Sequence, residues 1–522
     1  MRLILSPIAD LPDLLKQSFN ALKALAGRDV DFSACFKKPL ENSCSMLISG
    51  GAVAMITQTR VHDPDYLAEF SAYYSRQFID VSRFCTRLHF FRCAMEADEE
   101  ILPYLDRVPK NDYLGFITLR PVVKSPVGVS ILSAMLSNGM IRGLDHFPVH
   151  LGGLTFSVHG TPFMQQDNAV GACAQASIWM ALRTLRKREG DRAYDPAQIT
   201  DAATRYLVTG RVRPNRQGLS SQQMIEAIRT AGYAPHQIPL GPMRGAPLTQ
   251  DEIDGSKKTL SAYIESGIPV VLLMLPPSGG HAVVAIGKTI MQQPQRFVET
   301  ELQLSANFTL KFKHAISWSP SLLIHNDNTG PYRELPDNSA TDYEFRYAAM
   351  AIPLLPTDIF MSGEEAFAIG NEVLGNVFQS FVTAKIKSQA EVEAIAQGLV
   401  LRVLLVEKRR LRSWATSGGM VIEMSQSLRL MDLPKRVWVF EIHRADVYGA
   451  SLVNTVPSLV GLILIDPTAD VLPYSILLLH LNLPDIVGLP HGTLVTWDTA
   501  AGAPQVGVQT NENGPIVSIS HG

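Results

Sequence analysis

Gln165-Gln166-Asp167-Asn168-Ala169-Val170-Gly171-Ala172-Cys173-Ala174-Gln175-Ala176-Ser177-Ile178-Trp179-Met180-Ala181-Leu182 is the stretch whose reading decides the rest of the chain. A polar loop containing glycine runs directly into an amphipathic helix. Ile178, Ala181, Leu182 and Leu185 recur at i, i+3, i+4 and i+7, so one stripe is expected to face a core. Arg183, Arg186, Lys187 and Arg188 crowd the last turn, and Gly190 supplies the stop. Acid ahead of the helix and base at its end agree with the helix macrodipole. Cys173 then falls in the first turn, among main-chain N–H groups that lack intrahelical partners and favour a thiolate. A nucleophilic cysteine would be placed there; a small buried residue is the bland alternative.

Beyond that helix the hydrophobic period changes. Residues 196–207 are helical in pattern, and Ser220-Ser221-Gln222-Gln223 has capping-box spacing ahead of a helix that presents Met224, Ile225 and Ile228 on one face. A further helix over 260–265 stops at Gly267. The run 268–275 then reads as a central strand, Pro276-Pro277-Ser278-Gly279-Gly280 as a turn, and 281–287 as a strand pairing back on the first. A third strand, 321–324, breaks at His325-Asn326-Asp327-Asn328-Thr329-Gly330-Pro331. Helices followed by an antiparallel sheet describe an α+β domain over 151–355, with the cysteine helix packed on the sheet.

Two mixed α/β domains are expected to flank it, over 1–150 and 356–522. In the first, 11–25 reads as a helix, 45–57 as a strand interrupted by Gly50-Gly51, 65–84 as a long helix and 113–121 as a strand ended by proline. In the last, helices are expected over 364–384 and 389–397, and strands over 399–406, 437–442, 459–465, 476–481 and 494–497. Neither flank carries a catalytic constellation. His62, His89, His146 and His150 are scattered as structural or surface histidines would be, and Cys85 and Cys93 read as buried small hydrophobes.

Composition narrows the function. The 522 residues give room for three domains, and 46% hydrophobic with 18% charged residues describes a folded chain. A net charge of -3 gives no electrostatic reason for nucleic acid or an anionic membrane to be the main partner. The basic clusters at 183–188 and 408–412 read as solvated helix faces. The apolar run before Pro7 is too short for a secretory signal, and nothing reaches the ~18 apolar residues of a membrane span. Five cysteines without a C-x-x-C pair indicate neither a disulfide framework nor a zinc site, so a reducing cytoplasm is expected.

Thiol-dependent acyl transfer needs a thiolate, an imidazole, a group orienting that imidazole, and donors for the oxyanion. Cys173 offers the first and His281, opening a strand after Gly-Gly, the second. Asp327, just past the next strand, offers the third, with Asn326 and Asn328 as alternatives. Gln166, or Gln165, offers an amide donor from the loop before the helix. A metal at His325 and Asp327 is the weaker reading, because Asn326-Asp327-Asn328-Thr329-Gly330 lacks the final carboxylate of a calcium loop. As an ordinary turn residue, Asp327 would need no role at all.

The order Gln, Cys, His, Asp over residues 160–335 resembles the papain-like cysteine peptidases, especially the bacteriocin-processing, double-glycine-cleaving branch. Gly171-Ala172-Cys173 followed by Trp179 also resembles papain-like bacterial effector proteases. The resemblance implies a thiolate–imidazolium pair at Cys173 and His281, Asp327 as orienting residue, Gln166 as oxyanion donor, and no cofactor or metal. It implies cleavage of a peptide or isopeptide bond in a peptide or protein substrate, with the flanking domains open to a protein partner. The same acyl-enzyme would serve deamidation or transacylation, and an inactive peptide-binding scaffold is the non-enzymatic reading. The sequence departs from the family in two places: the glutamine lies seven residues before the cysteine, where six is usual, and residues 288–320 form a long excursion between histidine and acid.

Overall fold

Runs of apolar, branched residues of strand length form three largely antiparallel sheets that pack with helices, giving a mixed α+β fold. The computed structural model describes residues 2–26, 35, 37–78, 80–122, 124–166, 173–189, 194–206, 218–241, 246–339, 343–417, 422–469, 475–482, 493–498, 503–508 and 516–519. Two compact units share the chain. Residues 1–248, 267–287 and 322–355 form the first; residues 249–266, 288–321 and 356–522 form the second. Within the first unit the strands Asp145–Leu151 and Leu154–Phe163 form a hairpin.

The first unit holds two sheets. One has seven strands in the order Arg2–Pro7, Ala54–Val61, Cys85–Phe91, Tyr113–Leu119, Ser130–Ser133, Leu154–Phe163, Asp145–Leu151, each pairing antiparallel with its neighbour. The other runs Ile238–Pro239, Ala348–Pro356, Val270–Met274, His281–Thr289, Leu322–Asn326, Gly330–Leu335. Its central strands, Val270–Met274 and His281–Thr289, are rich in branched residues and buried almost throughout, as strands covered on both faces must be. Gly279, at φ +119°, takes the left-handed conformation that the turn between them requires. The helix Cys173–Glu189 lies on this sheet: Ile178, Trp179, Ala181 and Leu182 are buried in one cluster with Val271, Ala282 and Val284. The stripe read from the sequence is the buried face. Arg186, Lys187, Arg188 and Gly190 lie outside what can be described of side chains and backbone there.

Three elements differ from the sequence reading. Residues 45–49 end a helix, Lys38–Ser49, with Pro39 in its first turn, and the strand begins only at Ala54. The helix expected over 65–84 is Pro64–Ala72, capped by Asp63, which accepts from the Tyr66 N–H. The helix expected over 260–265 starts ten residues earlier, as Gln250–Glu265, behind a Thr249/Glu252 capping box.

That helix belongs to the second unit, and so does the excursion 288–320. The excursion forms a hairpin, Glu299–Ser305 with Phe308–His314, whose second strand pairs parallel with Leu399–Glu407. Beyond Leu399–Glu407 an eight-stranded sheet continues through Arg436–Arg444, Leu459–Ile465, Ile476–Asn482, Thr493–Asp498 and Ala503–Val508. Among the described residues no helix is long and apolar enough to cross a membrane.

Candidate active site

Cys173 opens its helix and is partly exposed. Two contacts fix that helix end against the strand that begins at His281. The Ala282 N–H donates to Cys173 Sγ (3.3 Å), and Ser177 Oγ, one helical turn on, donates to the Ala282 carbonyl (3.0 Å). Positions i and i+4 of the helix thus grip the main chain of the residue that follows the histidine.

The His281 ring is 8% exposed, and the next residue, Ala282, gives its main-chain N–H to Cys173 Sγ, which sets the thiol beside the ring. Its Nε2 faces Asn326 Oδ1 at 3.0 Å. The same Oδ1 accepts the Asn328 main-chain N–H (3.0 Å), which fixes the oxygen of the amide on this side and so assigns the ring proton to Nε2. Nδ1 is left for the sulfur. Tyr343 packs tilted against the ring, with centroids 5.1 Å apart, and its hydroxyl accepts from Asn328 Nδ2 (3.0 Å).

Asp327 is fully buried, with Oδ1 3.3 Å from His281 Nε2. Neither carboxylate oxygen has hydrogen-bond geometry with a partner, so the N–H is aimed at Asn326 while Asp327 stands beside it as a charge. Burial pushes the Asp327 carboxyl up to about 6, against the pull of His281. Burial also works against a charged His281. The Cys173 hydrogen bond, the charges of Asp327 and Cys173, and the Asn326 hydrogen bond together outweigh it and raise the imidazole to about 9.

Gln166 is half-buried and donates from Nε2 to Asn328 Oδ1 (3.1 Å), so it stands on the side of the turn that carries Asn326. Gln165 turns away: it is buried, and its Oε1 accepts the Val127 N–H (3.1 Å). The structure therefore gathers Cys173, His281, Asn326 and Asp327 around one imidazole, and ties Gln166 to them through Asn328. The turn holding these residues is closed by the Thr329 N–H on the Asn326 carbonyl (3.0 Å) and by Asn42 Nδ2 on the Thr329 carbonyl (2.7 Å).

His325, adjacent to Asn326, takes no part. It is fully buried, its Nε2 pairs with Thr161 Oγ1 (2.8 Å), its Nδ1 accepts the Tyr332 N–H (3.3 Å), and burial lowers it to about 3. With both nitrogens committed, it is not available to a cation beside Asp327. Among the described residues no three His, Cys, Asp or Glu side chains are grouped as a metal site would need. Tyr343, Ser177 and the Ala282 N–H were not foreseen from the sequence. Only Ser177 left a trace there, four residues after Cys173 on one helix face.

The chain matches no family model, no curated protein and no solved structure.

Proposed function

We propose that the chain is a papain-like cysteine peptidase that cleaves a peptide or isopeptide bond through an acyl-enzyme on Cys173. One observation carries this reading: a helix-opening thiol is held by the main-chain N–H of Ala282, next to an imidazole that an amide orients and a buried carboxylate flanks. In this reading the cysteine helix and the sheet bearing His281 are the two walls of a papain-like cleft, and the other regions select a protein partner.

The proton moves from Sγ to His281 Nδ1, and the thiolate attacks the scissile carbonyl carbon. The raised basicity of His281 supports an imidazolium at neutral pH, with Asp327 balancing its charge and Asn326 fixing its plane. The oxyanion takes hydrogen bonds from donors at the helix start and from Gln166, whose amide has a second N–H besides the one given to Asn328. As the C–N bond breaks, the imidazolium gives its proton to the leaving amine. Water, deprotonated by the imidazole, then opens the thioester and releases the carboxylate. A primary carboxamide as substrate, with ammonia as the leaving group, would make the same site a deamidase, and an amine acceptor in place of water would make it a transacylase.

A thiol-directed acylating probe, located by mass spectrometry, tests the reading. Labelling of the wild type and of Cys85→Ala, lost in Cys173→Ala, is the expected result. A wild-type chain that takes no label at Cys173 would instead be a peptide-binding scaffold.

A further inference from the structure

Two buried carboxylates outside the reacting groups lie one helical turn apart on the short helix Pro64–Ala72. Each reaches a different segment of the site. Asp65 Oδ1 accepts from Trp179 Nε1 (3.1 Å), and its Oδ2 pairs with Arg183 (3.3 Å), whose guanidinium also lies over the Trp179 ring at 5.6 Å. Trp179 and Arg183 are themselves i and i+4 on the helix that Cys173 opens. Glu69 Oε2 accepts from Arg120 Nη1 (2.9 Å), both side chains being almost wholly buried. Arg120 Nη2 in turn donates to the main-chain carbonyl of Gln165 (2.9 Å) and to that of Ser125 (3.1 Å). Gln165 also exchanges main-chain and side-chain hydrogen bonds with Val127, which pins the residue just before Gln166.

We propose that the Pro64–Ala72 helix is a two-point clamp on the site: Asp65 seats the nucleophile's helix, and Glu69, acting through Arg120, seats the glutamine that donates to the oxyanion. The inference rests on the peptidase reading and adds to it two positioning residues, Asp65 and Glu69, from a region with no reacting group. A carboxylate buried this deeply is costly unless it is paired, so its retention ties geometry to specific partners. Release of either partner lets a site group drift, and a displacement of about 1 Å at a reacting centre costs up to about 100-fold in rate.

The two arms of the clamp predict different defects, which two small probes resolve on the full chain. Iodoacetamide alkylates the Cys173 thiolate, with loss of iodide and without an oxyanion. 4-Nitrophenyl acetate acylates it: the S–C bond forms through an oxyanion, the ester C–O bond breaks, and nitrophenolate leaves. Glu69→Gln should slow acylation about 10-fold or more while leaving alkylation within about twofold. Asp65→Asn should slow both. Glu69→Gln should add nothing in a Gln166→Ala background, because the arm acts through that residue. Arg120→Lys, which keeps a charge for Glu69 and gives up the fork to Gln165, should repeat the acylation defect and decides the matter if Glu69→Gln does not fold. Equal loss in both probes for Glu69→Gln and Arg120→Lys, or wild-type rates throughout, would overturn the clamp alone. A wild type unreactive to both probes at Cys173 would remove the peptidase reading and the clamp with it.

Discussion

Among the described residues each unit holds a carboxylate–imidazole pair beside a thiol or hydroxyl, and the two groups differ in almost everything except connectivity. In the second unit, Glu441 Oε2 meets His443 Nε2 at 3.2 Å, and His443 Nδ1 meets Ser458 Oγ at 3.0 Å. Taken as a distance alone, its carboxylate–imidazole pair matches that of His281 and Asp327, at 3.3 Å. Yet Ser458, His443 and Glu441 are all fully buried, and Glu441 is already charge-paired with Arg402 Nε (2.9 Å) and accepts a hydrogen bond from Ser518 Oγ (3.0 Å). Burial pushes His443 down; Glu441 offsets this in part, and Arg402 adds to it. His281, in contrast, keeps an edge in solvent and a carboxylate that no arginine shares, and its imidazole is raised. Access and unshared charge, not spacing, distinguish the group proposed to react from the one sealed in the second unit.

Removing the two imidazoles should break this comparison most visibly. His281→Ala is expected to lower Cys173 acylation by about 10³-fold, within the range of general-base loss. His443→Ala should leave the rate within about twofold, and a slow His443→Ala protein would contradict the assignment of roles. Next in size, Arg402→Met strands Glu441 and should cost the second unit about 3–5 kcal/mol in denaturant unfolding. An unchanged midpoint would mean that the buried network carries little of that unit's stability.

Asn326→Ala should slow acylation by about 10- to 100-fold, because the ring loses its hydrogen-bonded orientation while Asp327 keeps its charge. Asp327→Asn reverses the case: geometry stays and charge goes, so the alkaline limb of the rate profile should fall from about 9 toward the ordinary imidazole value. The smallest effect is on stability. His281 is raised in the folded chain, so its contribution is complete below its unfolded value of 6.5 and is lost as pH rises through about 9. Melting temperature followed across that window should fall less steeply in Cys173→Ala, where the thiol partner is absent.

Local signals in the sequence reached far into this architecture. The cysteine helix, the Ser220/Gln223 capping box, and the strands on either side of Gly279-Gly280 all follow from period, cap or turn chemistry carried within about a dozen residues. What those signals could not carry is register. Neighbouring residues of a strand point to opposite faces, and the pairing of Leu322–Asn326 with Gly330–Leu335 slips between Ile324 and Asn326. That irregularity decides that Asn326 takes the ring proton while Asp327 stands aside, and no residue type announces it. Residues 45–49 show the converse. Apolar runs that short fit either period, and the helix prevailed because Pro39 starts it and Gly50-Gly51 ends it. The partners of Asp65 and Glu69 lie between 51 and 118 positions along the chain, beyond any periodic reading.

The placement of the Gln250–Glu265 helix has a consequence for the chain as it leaves the ribosome. Glu265 pairs with Lys288 and Arg402, and the Leu405 N–H donates to Ser266. The strand that completes these contacts is made more than a hundred residues later, on the order of ten seconds of translation. Through that interval the nascent helix carries an apolar flank and an acid that Lys288 alone can meet, so its ordering waits on the distant strand.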